Sequence, residues 1–279
     1  MTPADLCDLT EVEGLLRSIA AEHVMPRFGR VATQDVMAKA DGGLVTAVDH
    51  TVEDALTNRL CAILPGSAVV GEEAVSADPT RLELVAGAEP VWIVDPIDGT
   101  ENFAMGNPRF TSLVSLAVQG RVMASWTYAP ALDLMAIAVA DNGAHINGER
   151  TTLPKSVTVL RSLDVRVAQP RWWSKLPARL HINRLCMSGI SLSYFDGAGL
   201  GYLELASGRC SAMILTWETV WDHAAGILLL QETGGTVTGL DGSPFRLDGD
   251  NELPLVAAPD STVAGQIRAA MSDDEATVY

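Results

Sequence analysis

Leu9, Val12, Leu16, Ile19 and Ala20 recur at the spacing of one helical face, which predicts an amphipathic first helix running to about Pro26. A second helix is expected from near Asp49, with Val52, Leu56, Leu60 and Ile63 on one face and a stop at Pro65-Gly66. The pattern then shortens. Ala68–Val70 and Val91–Val94 are continuous apolar runs and read as short buried strands. From Phe110 to Arg150, β-type segments alternate with turn signals at Gln119-Gly120, Ala129-Pro130, Asp141-Asn142-Gly143 and Asn147-Gly148, which predicts an antiparallel meander. After about residue 152, strands alternate with helices. Gly199–Ala206 reads as helix, Ala212–Leu215 as strand, and Asp222–Glu232 as helix up to Gly234-Gly235. A strand near Leu255–Ala258 and a helix from Ser261 follow. Periodicity alone gives mixed α and β, with no repeat, low-complexity tract or long linker.

Composition narrows the function. With 48% hydrophobic and 19% charged residues, the chain reads as a folded globular protein. Its 279 residues suit one large domain or two tightly joined ones. The net charge is −16, from 35 acidic and 19 basic residues, and this argues against nucleic acid as a partner, since that needs a basic face. The same acidity repels a phosphorylated substrate unless cations neutralise the site, so it favours metal assistance. No opening stretch has the order of a signal peptide, and no apolar stretch reaches the length of a bilayer span, so no membrane partner is expected. Cys7, Cys61, Cys186 and Cys210 form no Cys-x-x-Cys pair and read as scattered core thiols in a reducing cytoplasm.

Two segments concentrate candidate chemistry: Trp92-Ile93-Val94-Asp95-Pro96-Ile97-Asp98-Gly99-Thr100-Glu101-Asn102-Phe103 and Trp221-Asp222-His223-Ala224-Ala225-Gly226. The first sets two carboxylates on a bend leaving an apolar run, then a glycine and a hydroxyl. Carboxylate oxygens suit hard ions such as magnesium, which takes one or two carboxylates with waters and phosphate oxygens. Gly99 lets backbone N–H groups approach an anion, favourably so at a helix start. Each residue also has a plainer role. Aspartate is common in turns, Asp222 and Asp49 sit where helix caps belong, and Thr100 fits an ordinary capping hydroxyl.

Together with Gly71-Glu72-Glu73 and Leu44-Val45-Thr46-Ala47-Val48-Asp49, these segments resemble, in order and over nearly the whole chain, the signatures of the inositol monophosphatase family of magnesium-dependent, lithium-sensitive phosphatases. The resemblance implies an α/β (α+β) fold, the layered αβαβα sandwich of the sugar-phosphatase type. Residues 1–150 would form an N-terminal subdomain carrying most metal ligands, and residues 151–279 a C-terminal one supplying Asp222 and the substrate wall. It implies two or three Mg2+ ions held by Glu72, Asp95, Asp98, Asp222 and the carbonyl of Ile97, with Asp95 bridging two. Glu72 and Thr100 would activate a water, with Asp49 in the surrounding network. Asp98, Gly99, Thr100 and Asp222 would face the substrate, a small phosphate ester, inositol monophosphate first. A homodimer is also implied. Glu73 reads as a solvated charge.

The resemblance has gaps. Where many members carry a hydroxyl-reading glutamate, seven residues before Asp222, this chain has Leu215; Glu218 replaces it only if the loop is rearranged. The family's Gly-Ser-Ala segment aligns loosely with Asp196-Gly197-Ala198. Histidinol phosphate, a sugar phosphate and a phosphoadenosine nucleotide therefore stay open as substrates. Two readings of other kinds also stand. One is a haloacid-dehalogenase-type phosphatase attacking through its first aspartate, although its motif spaces the aspartates by one residue and this chain by two. The other is a metal-binding interaction or regulatory protein. His223 reads as structural or surface. His23, His50, His145 and His181 lack ligand spacing, and Trp172-Trp173 reads as packing.

Overall fold

The computed structural model describes residues 6–31, 36–38, 44–153, 163–170 and 177–272. Helix α1 (Leu9–Ile19) starts at the Asp8 cap, and the chain goes on through tighter and wider turns to Arg27, as the apolar spacing predicts. Strands β1 (Val36–Ala38) and β2 (Leu44–Thr46) pair with each other. Helix α2 (Ala47–Ile63) follows, then β3 (Ala68–Gly71), the short α3 (Glu72–Ala77) and β4 (Val91–Asp98). After α4 (Thr100–Met105), the meander runs through β5 (Thr111–Val118), β6 (Arg121–Ala129), β7 (Leu134–Val139), β8 (Gly143–Ile146) and β9 (Glu149–Thr151). These give a seven-stranded sheet in the order β3-β4-β5-β6-β7-β8-β9, parallel between β3 and β4 and antiparallel elsewhere.

The rest of the chain alternates as expected: β10 (Asp164–Val167), α5 (Ala178–Met187), β11 (Ser191–Tyr194), α6 (Ala198–Ala206), β12 (Ala212–Leu215), α7 (Val220–Glu232), β13 (Thr236–Thr238), β14 (Leu255–Ala258) and α8 (Ser261–Ser272). Its sheet has the order β11-β10-β12-β14-β13. Trp172-Trp173 lies outside the described residues.

Hydrophobic contacts stack these elements into five layers. α1 and α2 cover one face of the seven-stranded sheet, with Val12, Leu16, Val52 and Leu56 against Trp92, Val94 and Trp126. The other face packs on α6 and α7, through Ile93 against Ala224 and through Ala138 against Leu203 and Leu228. The far side of those helices meets the five-stranded sheet, with Tyr202 and Leu230 against Met213 and Leu255. α5 and α8 close the stack. This is the expected αβαβα sandwich. Because β4 is covered on both faces, its residues are buried throughout, which accounts for an apolar run without alternation. The central helices are buried for the same reason: α6 has no exposed face, and α7 is buried from His223 to Leu230. Cys7 and Cys210 are buried, their thiols pushed up to about 11 and about 12 by burial, but Cys186 is exposed on α5 rather than in a core.

Candidate active site

The strand carrying the first aspartate pair is longer than its apolar run suggests. β4 continues through Asp98 instead of ending in a bend after Val94. In a regular strand, residues three apart point to opposite faces. Here the pairing with β5 shifts register between Asp95 and Asp98, and both carboxylates reach the same place. Asp222, from α7, joins them. One carboxylate oxygen from each of the three lies within 4.8 Å of the others.

These three groups are held very differently. Asp95 is 1% exposed, and its Oδ1 has no hydrogen-bond partner among the described residues. Burial, then the charges of Glu72, Asp98 and Asp222, push its pKa well above the usual range. A buried oxygen without a partner is rare and needs a cause. Asp98, by contrast, is held by three donors. Its Oδ1 accepts from the Ala198 N–H at 3.2 Å, and its Oδ2 from the Gly199 N–H at 2.8 Å and the Thr111 hydroxyl at 3.0 Å. Even so, burial and the Asp222 charge push its pKa up to about 7. Three carboxylates packed this closely repel one another unless a positive charge lies between them. A divalent cation supplies that charge and gives the orphaned Asp95 oxygen a partner, so the donor set fits one.

Asp222 is the third residue of α7, whose cap position is taken by Thr219; the expected N-cap role of Asp222 is therefore not realised. Instead, its Oδ2 accepts from the Trp217 indole N–H at 2.7 Å and closely from the Thr219 hydroxyl. Such outer partners fix a carboxylate's orientation. Trp217 is itself held, since its carbonyl lies 2.9 Å from Nε2 of His223, whose Nδ1 lies 3.1 Å from the Tyr202 hydroxyl. His223 is fully buried among Tyr202, Trp217 and Phe245, and burial lowers its pKa. Its role is structural.

On the other side, the Thr100 hydroxyl lies 3.0 Å from the Ile97 carbonyl and 3.2 Å from Asp49 Oδ1. Asp49 is likewise not the N-cap residue. Thr46 caps α2, and Asp49 closes the reciprocal capping box, taking the Thr46 N–H at 2.8 Å and hydroxyl at 2.6 Å on Oδ2. Its remaining oxygen serves Thr100, so its capping and site roles coincide. Gly99 between them has φ +87°, and a Cβ there would lie 3.2 Å from the Arg109 carbonyl. A left-handed turn and close backbone approach both require glycine here.

Glu72 opens α3. It lies outside the 4.8 Å group, yet its charge is the largest of those raising the pKa of Asp95. Two acidic neighbours depart from expectation. Glu73 is buried rather than solvated. Glu53, with no signal in the sequence, is buried beneath α3 and accepts the N–H groups of Glu73 and Ala74 at 2.8 Å each. It anchors the helix that carries Glu72. Gly71 makes room for it, since a Cβ there would meet the Glu53 carboxyl at 2.4 Å.

The sequence profile of the Inositol monophosphatase family matches residues 5–273.

The chain belongs to that family.

Inositol-1-monophosphatase of Mesorhizobium japonicum is 30% identical over 225 residues, covering 79% of this chain and 81% of that protein. The fructose-1,6-bisphosphatase/inositol-1-monophosphatase of Thermotoga maritima is 29% identical over 231 residues, covering 82% and 83%. Among solved structures, the Thermotoga maritima IMPase shares the fold with a TM-score of 0.79, at 24% identity and covering 94% of this chain and 96% of that one. An IMPase/NADP phosphatase complexed with NADP and Ca2+ also has a TM-score of 0.79, at 22% identity and covering 96% and 97%. Members of the family are phosphomonoesterases that use Mg2+, and the chain is an enzyme of this class. The dehalogenase-type alternative thereby loses its basis.

The position where the resemblance puts a hydroxyl-reading glutamate lies away from solvent. Leu215 is fully buried in the core beside Met213 and Leu255, so it is not an apolar patch on the site wall. Glu218 is no substitute in this structure: its Oε2 accepts from the Asn251 N–H at 2.8 Å and side chain at 2.9 Å.

Proposed function

We propose that the chain hydrolyses the monophosphate of a small polyol, inositol monophosphate among several accepted esters, with Mg2+ held by Glu72, Asp95, Asp98, Asp222 and the Ile97 carbonyl. The observation that carries this reading is the buried Asp95, one oxygen unpartnered, gathered with two further carboxylates within 4.8 Å. Magnesium, when bound, neutralises that cluster, polarises phosphoryl oxygens and acidifies water. The chain's own groups do the rest. Gly99 and Thr100 offer N–H groups to the phosphate at the start of α4, where the first turn has no partners within the helix. The Thr100 hydroxyl proton is held between Asp49 and the Ile97 carbonyl, which leaves its oxygen lone pairs to orient the attacking water. Glu72 takes that water's proton. Asp98 and Asp222 line the substrate side.

Broad specificity is part of the reading. With Leu215 in the core and Glu218 tied to Asn251, neither supplies the hydroxyl contact that separates one polyol from another. A lost polar contact of this kind is worth about 1–3 kcal/mol. The relatives' names themselves span inositol phosphates, fructose 1,6-bisphosphate and NADP. Phosphate release from inositol 1-phosphate, fructose 1,6-bisphosphate, histidinol phosphate and a 3′-phosphoadenosine nucleotide, with and without Mg2+, tests it. Comparable kcat/KM across the panel is expected. Preference for inositol 1-phosphate over every other ester by about 100-fold or more, within reach of a site built on hydroxyl contacts, overturns the broad specificity. No Mg2+-dependent turnover of any ester favours the binding-protein alternative. The same reading divides the chain near residue 150 into two subdomains and includes a lithium-sensitive, cytoplasmic homodimer; light scattering that gives a monomer overturns the dimer.

A further inference from the structure

Arg109 lies between α4 and β5, and its two ends serve different parts of the molecule. Its main chain belongs to the turn that follows the aspartate pair. The Arg109 carbonyl accepts from the Asn102 side chain at 2.8 Å and packs against Gly99. The side chain reaches across to α6. The guanidinium forks onto Glu204 with two 3.2 Å hydrogen bonds, and its Nε donates to Asp196 at 2.5 Å. Asp196 lies just before α6 and Glu204 nearly two turns along it, so the fork grips the helix on both sides of its first turn.

That first turn is what holds Asp98, through the N–H groups of Ala198 and Gly199. The fit leaves no slack: a Cβ on Gly197 or Gly199 would meet the Asp98 carboxylate at 2.8 Å or 3.1 Å. Arg166 provides a contrast. It comes from β10 and pairs closely with the same Glu204, but it ties α6 to the five-stranded sheet and makes no hydrogen bond to the Gly99 turn.

We propose that Arg109 is a positioning residue for the metal site. By locking α6 to the Gly99 turn, it keeps the two N–H groups on Asp98 and so aims that carboxylate at its cation. The proposal rests on the reading of Asp98 as a magnesium ligand. Its test is Mn2+ binding to the purified protein, followed by electron paramagnetic resonance and calorimetry, for Arg109→Met, Arg109→Lys and Arg166→Met, with thermal melts alongside. Arg109→Met is expected to weaken Mn2+ binding about 10–100-fold, the usual cost of losing a partner behind a ligand. Arg109→Lys, which keeps the charge and loses the fork, recovers only part of that. Arg166→Met removes a charge from the same glutamate and keeps wild-type Mn2+ affinity even where it melts earlier. Wild-type Mn2+ affinity in Arg109→Met, or equal losses in the Arg109 and Arg166 variants, overturns the proposal. If Arg109→Met does not fold, Arg109→Lys decides: weaker binding supports the role and wild-type binding refutes it. A wild-type protein that binds no Mn2+ refutes the underlying metal reading and this proposal with it, a result seen before any variant is made.

Discussion

Two sets of carboxylates lie near the end of β4, and they have been treated oppositely. Asp49 and Glu53 are buried, but each is answered by donors: Thr46 and Thr100 for one, the first N–H groups of α3 for the other. Asp95, with Asp98 and Asp222 beside it, is a concentration of negative charge that the protein does not itself balance. The first set holds the scaffold. The second is left incomplete so that cations complete it, and its cost in the metal-free protein is part of its function. Both sets have burial that raises a carboxyl pKa, so burial alone does not tell a structural acid from a chemical one. The difference lies in the orphaned Asp95 oxygen and in the gathering of three carboxylates within 4.8 Å.

This comparison can be broken at several points. Thr100 belongs to the satisfied side, and its loss should not touch the cluster. Thr100→Ala is expected to lower kcat by about 10²–10⁴-fold, the range of a lost proton-handling group, with Mg2+ affinity nearly unchanged by calorimetry. Near wild-type turnover would remove Thr100 from water activation. Leu215→Glu tests the other side of the site. Because the side chain lies in the core, the substitution is expected to destabilise by about 3–5 kcal/mol through an unpaired buried charge, read as a shifted denaturation midpoint, and to give no gain on inositol phosphate. Unchanged stability with raised inositol phosphate turnover would show that this position does read the alcohol. A smaller effect concerns pH. The folded, metal-free protein keeps the Asp98 proton up to about 7, against 3.8 for the free side chain. The folded state thus binds more protons than the unfolded one across that window, and metal-free stability falls as pH rises through it. Melts with chelator are expected to be higher at about pH 5 than at about pH 8, a difference that Mg2+ reduces. The opposite slope contradicts the crowded-carboxylate account.

Much of this was legible in the sequence, for reasons that also mark where legibility stopped. The helices and the meander carry strong periodicity and turn signals, and the ligand-bearing segments are short and contiguous, so Asp95, Asp98, Thr100 and Asp222 could be named from their neighbours. The Thr46-x-x-Asp49 spacing is itself a capping-box signature, and it would have placed Asp49 inside α2 rather than at its head. Glu53, Thr111, Arg109 and Glu204 had no such signal. They act on residues 13 to 95 positions away, through contacts that only the stacked layers create. Leu215 is a related case. An aligned position says which residue replaces a glutamate, but not whether the new side chain still faces the site.

The central claim is that the Asp95 cluster is unstable by itself and completed by divalent cations. The most direct measurement is the melting temperature of the wild type and of Asp95→Asn, each with chelator and with Mg2+. Asp95→Asn replaces an acid whose ionisation is opposed by burial and by the charges of Glu72, Asp98 and Asp222 with a neutral amide able to donate to those carboxylates. The account predicts that with chelator the variant melts above the wild type, that Mg2+ raises the wild type only, and that the variant has no phosphatase activity. A variant that melts below the wild type with chelator, or gains as much from Mg2+, would contradict it.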